Sequence, residues 1–208
     1  MLSLVTVGAA LALAFVVALA VWRFRRRKQS PVKRVLIVVG QPTFEVPCAA
    51  NAAAIFRRAG LTPALVTLSG GRVDPDKHSL EGTASKAAEQ RSDAAWFAVL
   101  QNATKTTPLS SCVASRTAAV FVAGGASALK GLRQTGFTGS SPTPFCLALR
   151  AFCADVLKAG GVVGATGHGV HGLPEDEHAR GRFAGSLDSA ATSIARAMVA
   201  TMEDSKIA

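Results

Sequence analysis

Attack on a carbonyl needs a thiolate or an activated hydroxyl, with histidine or a carboxylate to move the proton. The chain offers four cysteines, Cys48, Cys112, Cys146 and Cys153, and four histidines, His78, His168, His171 and His178. Glu45 lies three residues before Cys48, and His168 stands between Gly167 and Gly169. Cys48 falls in an alanine-rich run, where a free cysteine is normally a small core residue. Cys146 and Cys153 are seven residues apart, the spacing of one helical face. Cys112 sits among polar residues and reads as a solvent-exposed thiol. His168, His171, Glu175, Glu177 and His178 cluster in sequence, but Gly169, Gly172 and Pro174 break the segment up. A metal site needs three or four held ligands, so this stretch reads as a solvated loop with no metal expected.

The elements that must position these residues alternate. Arg34 to Gly40 is a β-branched run ending at glycine, and Pro47 to Arg58 is helical and closed by Gly60. Ala64 to Leu68, Ala118 to Ala123 and Gly161 to Ala165 read as further strands. Ser85 to Gln101, Phe145 to Lys158 and Ala190 to Met202 read as helices. Trp96 and Phe97 are read as a core aromatic with an exposed neighbour. Strands alternating with helices imply a parallel sheet sandwiched by helices, a flavodoxin-like α/β fold. Ligands in such sheets sit beyond the carboxyl ends of the strands. Here those ends are Gly40, Gly124-Gly125 and Gly167-His168-Gly169, which makes Gly40, Gly124, Gly125 and Gly169 the expected pocket backbone. Gly40-Gln41-Pro42 is no phosphate loop, because Pro42 lacks the N–H donor. No nucleotide or other cofactor is expected.

The beginning of the chain is of another kind. Residues 2–22 are apolar and uncharged, and a helix of that length spans about 32 Å. Trp22 and the basic run Arg23, Arg25, Arg26, Arg27 and Lys28 follow, with Lys33 and Arg34 close behind. Apolar first and basic after is the reverse of a cleavable signal peptide, so residues 1–22 read as one retained N-terminal transmembrane helix. Residues 23–32 are then a basic juxtamembrane linker, and 33–208 the domain. The basic flank predicts a cytosolic domain, on the mitochondrial outer membrane or the endoplasmic reticulum. The cysteines would then be reduced and Asn102-Ala103-Thr104 unglycosylated. The chain has 208 residues and a net charge of +10, and those seven positives leave only +3 elsewhere. Basicity confined to one block argues against nucleic-acid binding and suits anionic lipid. Mean hydropathy of +0.31 excludes a disordered chain.

Several stretches together resemble the ThiJ/PfpI superfamily, a class I glutamine-amidotransferase-like fold, and within it the glyoxalase III-type heat-shock branch. They are Val35 to Gly40 with the helix ending Phe56-Arg57-Arg58-Ala59-Gly60; Val66 to Gly71 with Asp76-Lys77-His78-Ser79-Leu80; Ala119 to Gly125; Ala159 to Ala165 leading into Gly167-His168-Gly169; and Gly181-Arg182-Phe183 before the last helix. The likeness covers about residues 33–202. It implies a cysteine nucleophile at a sharp strand-to-helix elbow, and that position here is Gly167. It implies a glutamate on the first helix, and counting back from Gly60 without a gap puts Cys48 there. Glu45 would fill that slot only with a gap. Ala126 and Ser127 replace the usual histidine and glycine after Gly124-Gly125. Only residues 169–180 separate the elbow from the expected last strand, where the family has tens.

The expected function is therefore a membrane-tethered, catalytically inactive ThiJ/PfpI-like binding module. The alternative is residual glyoxalase III-type conversion of 2-oxoaldehydes such as methylglyoxal to hydroxy acids, through Cys48, His168 and Glu45. A thiol-based stress or chaperone module is a third. Partners would be the bilayer, an unknown protein and, as the resemblance implies, a second copy in a homodimer.

Overall fold

The computed structural model describes residues 34–81, 86, 97, 98, 100, 102, 104–125, 128, 132–136, 139–174 and 187–207. The expected anchor and linker lie outside them, as do Trp96, most of the helix expected at 85–101, and Gly181-Arg182-Phe183. Among the described residues, no helix is long and apolar enough to cross a membrane.

Nine strands are described: β1 (Arg34–Val38), β2 (Thr43–Phe44), β3 (Pro63–Thr67), β4 (Gly71–Pro75), β5 (Thr104–Pro108), β6 (Thr117–Val122), β7 (Arg133–Gly136), β8 (Gly139–Pro142) and β9 (Val162–Ala165). The long helices are α1 (Val46–Arg58), α2 (Pro144–Lys158) and α3 (Leu187–Ile207). One seven-stranded sheet runs β2-β4-β5-β3-β1-β6-β9, and β7 and β8 form a separate antiparallel hairpin. The centre of the sheet is parallel, β1 pairing with β3 on one side and β6 on the other, and β6 with β9.

The expectation of a wholly parallel sheet needs correction, because β4 and β5 pair antiparallel. The chain leaves β3 through Gly70 and Gly71 and turns straight back, with no crossover helix before β4. A parallel neighbour would need such a crossover.

Both faces of the sheet are covered, which explains why β1 and β6 carry continuous apolar runs. Side chains alternate across a strand. Val35, Ile37, Ala119 and Phe121 point to one layer, where Ala49, Ala53 and Phe56 of α1 meet Ala191, Ala195 and Met198 of α3. Leu36, Val38, Val120 and Val122 point to the other, against Cys146, Leu149, Cys153 and Val156 of α2. Phe97 belongs to the first layer. Alanines on α1 let α3 approach closely, and Phe56 fills the remaining depth edge-on to Phe121 at 6.3 Å.

Candidate functional site at the carboxyl ends of the strands

The first helix is aimed by its N-terminus. Pro47 occupies the first turn, where its missing N–H costs nothing. Glu45 is the N-cap residue, yet its side chain makes no capping bond. The Val46 N–H instead donates to Ser79 Oγ (3.2 Å), and that hydroxyl donates to the Asp76 carbonyl (2.7 Å). Asp76 in turn accepts from the His78 N–H through Oδ1 (3.0 Å). The Asp76-x-His78-Ser79 turn is therefore the clamp that fixes where α1 begins. Pairing of Thr43–Phe44 with Asp74–Pro75 holds the approach to it.

Freed from capping, the Glu45 carboxylate lies against Gly125. A Cβ built on Gly125 would collide with Glu45 Cδ and Oε1, and Gly125 has φ +133°. Glycine is required there on both counts. Three residues into the helix, Cys48 is 1% exposed and shares a hydrogen bond with Thr166 Oγ1 at 3.0 Å. The same Oγ1 accepts the Gly124 N–H at 2.7 Å. Glu45 thus lies against Gly125, and Cys48 meets the Thr166 hydroxyl that accepts the Gly124 N–H.

The turn after β9 is held by backbone hydrogen bonds. Thr166 donates its N–H to Val122, continuing the β6–β9 ladder, and Gly169 donates to the Thr166 carbonyl (3.1 and 2.8 Å). Between them Gly167 has φ +43°, in the left-handed region. A side chain in that region is strained by roughly 1–2 kcal/mol. Glycine adopts this conformation without that strain. The six-residue 3₁₀ turn Gly167–Gly172 is held from the α2 side, where Cys146 Sγ and Arg150 Nε both donate to the His171 carbonyl at 2.9 Å.

His168 is exposed and stacks on His171, with ring centroids 6.2 Å apart. Of the expected trio of Cys48, His168 and Glu45, the histidine packs on His171, the thiol meets Thr166 Oγ1 and the carboxylate lies against Gly125. Among the described residues no group of three metal-ligating side chains comes together. Gly40 lines a small apolar cavity with Val38, Val122, Ala123, Leu132 and Phe145. It holds about 10 Å³, room for one water.

The other thiols divide clearly. Cys146 and Cys153 are buried on one face of α2, as their spacing predicts. Burial pushes the Cys153 thiol from an ordinary 9.0 to about 12. Cys112 is half-buried and not the exposed thiol expected, because it packs under the second core layer and donates to the Pro108 carbonyl at 3.6 Å. Its pKa is raised by burial, with Arg34 acting in the opposite sense.

Sequence reasoning missed Thr166 and Asn51. Thr166 is fully buried and forms the hub between Gly124 and Cys48; its one signal was a hydroxyl between an apolar strand and the elbow glycine. Asn51, one turn along α1 from Cys48, is 2% exposed, and its amide N and O have no hydrogen-bond partner. Such a group costs about 1–3 kcal/mol, and nothing on α1 explains it.

No family model matches the sequence, and no curated protein matches it. Solved structures do. A ThiJ/PfpI domain protein from Brachyspira murdochii superposes with a TM-score of 0.55 at 14% identity, over 83% of this chain and 98% of that one. The Rapid Encystment Protein of Francisella tularensis gives 0.54 at 15%, over 82% and 99%. Glyoxalase III from Candida albicans gives 0.49 at 18%, over 69% and 60%. Over most of its length the chain therefore has the α/β fold of the ThiJ/PfpI domain structure.

Proposed function

We propose that the chain is a membrane-anchored, catalytically inactive ThiJ/PfpI-like domain that acts as a binding module on the cytosolic face of its membrane. One observation carries the inactivity: the elbow turn is intact at Gly167, and the residue on it has no side chain. The anchor rests on the uncharged stretch 2–22 and on Arg23, Arg25, Arg26, Arg27 and Lys28, which would also attract anionic lipid.

A second reading has one observation in its favour. The Cys48 thiol reaches the strand end, at 3.0 Å from Thr166 Oγ1. Residual 2-oxoaldehyde turnover would then run through Cys48 in place of an elbow cysteine. Against it, the thiol is buried and His168 stacks on His171.

Methylglyoxal consumption by the full-length chain, beside Cys48→Ser, decides between them. The inactive module predicts consumption at the no-protein rate for both. Turnover that Cys48→Ser abolishes would replace the first reading with the second.

A further inference from the structure

We propose that Thr166 is a latch that keeps the strand-end site closed. Its hydroxyl ties together three elements that come from distant parts of the chain. Gly124 ends β6, 42 residues away, and Cys48 lies on α1, 118 residues away. Thr166 itself begins the turn that carries the empty elbow.

The contacts are arranged so that they open together. The Gly124 N–H is buried and directed at Oγ1 at 2.7 Å. The thiol of Cys48 meets the same oxygen at 3.0 Å. The Thr166 carbonyl accepts from Gly169, which ties the turn to the same residue. A second side chain closes the neighbouring position, since the Glu45 carboxylate lies against Gly125. Any acceptor entering at the strand ends to take the Gly124 N–H must first displace Thr166 Oγ1. That displacement also takes the Thr166 hydroxyl from the Cys48 thiol, which we expect to loosen its cover. A closed site and a shielded thiol are therefore two consequences of one hydroxyl.

The latch belongs to the strand-end site on which the proposed function rests. Its readout needs neither turnover nor a ligand, so the two can fail separately. The test is alkylation of the folded full-length chain by iodoacetamide, with Cys48 and Cys153 followed in the same sample by peptide mass spectrometry. Cys153 is equally buried but lies on the opposite face of the sheet, so it reports global unfolding. Thr166→Val keeps the side-chain volume and removes the hydroxyl. It leaves a buried N–H unpaired, and local opening should become roughly ten- to a hundredfold easier.

The expected result is Cys48 labelling accelerated by that factor, Cys153 unchanged within about twofold, and Thr166→Ser close to wild type. The latch is overturned if Thr166→Val leaves Cys48 at the wild-type rate, if both cysteines accelerate together, or if Thr166→Ser behaves like Thr166→Val. Should Thr166→Val not fold, amide hydrogen exchange of the wild type carries the test. The Gly124 and Gly169 amides should then be protected and exchange in one common opening. Exchange of Gly124 without protection, or independently of Gly169, overturns it.

Discussion

Cys48 and Cys153 are both buried, one on each face of the same sheet, and their surroundings are opposite. Cys153 belongs to the apolar cluster that α2 forms with Leu36 and Val120 of the strands, and burial pushes its thiol up to about 12. Cys48 sits where α1 meets the strand ends, beside a hydroxyl, a glycine N–H and, one residue to the side of that glycine, a carboxylate contact. On the α2 face the polar contacts serve to hold the elbow turn from outside, through Cys146 and Arg150. On the α1 face they converge at the place where this kind of sheet presents its ligands. The difference teaches that polar contacts converge at the strand ends on the α1 face, while the thiol on the α2 face is buried among apolar side chains.

The comparison breaks most sharply at Gly124. A Cβ there would collide with the backbone carbonyl of Thr166, an atom that cannot rotate away. Gly124→Ala should therefore cost about 3 kcal/mol of stability in urea unfolding. Loss below about 1 kcal/mol would mean that the turn is not held against β6 as described.

A smaller effect sharpens the other face. The Cys153 pKa is raised on folding, so its contribution to stability is complete below pH 9.0 and is lost as pH rises from there towards 12. At pH 10 the loss is about 1.4 kcal/mol, one pKa unit's worth. Urea unfolding between pH 8 and pH 10 should show at least this fall in the wild type, and Cys153→Ala should lessen it by about that amount, leaving the part that the raised Cys112 thiol contributes. An unchanged slope in the variant would place the titration elsewhere.

Much of the fold was legible because the central strands are buried on both faces. Arg34 to Gly40 and Ala118 to Ala123 are runs that only a covered parallel strand uses, and they end within a residue or two of the expected places. β4 and β5 were not legible. Gly71-Arg72-Val73-Asp74-Pro75 buries only Val73 on its strand, and Thr104-Lys105-Thr106-Thr107-Pro108 buries only Thr106. Their pairing is backbone pairing with little apolar pattern to reveal it. At the site, the glycines and the Asp76-x-His78-Ser79 turn could be located because each is local. Thr166 could not, because what it does depends on partners 42 and 118 residues away. The ungapped count prefers Cys48 to Glu45 for one slot, whereas a cap residue and one three positions later both face the strand ends.

The central claim of the proposed function is that Gly167 occupies a nucleophile position that lacks its thiol, and a thiol placed there tests it directly. Full-length Gly167→Cys would be alkylated with iodoacetamide and all five thiols followed by mass spectrometry. The account predicts that the introduced thiol, at a half-exposed turn, reacts at least about tenfold faster than Cys48 and Cys153 in the same molecule. An introduced thiol as slow as Cys153, in a chain that still unfolds cooperatively, would contradict it.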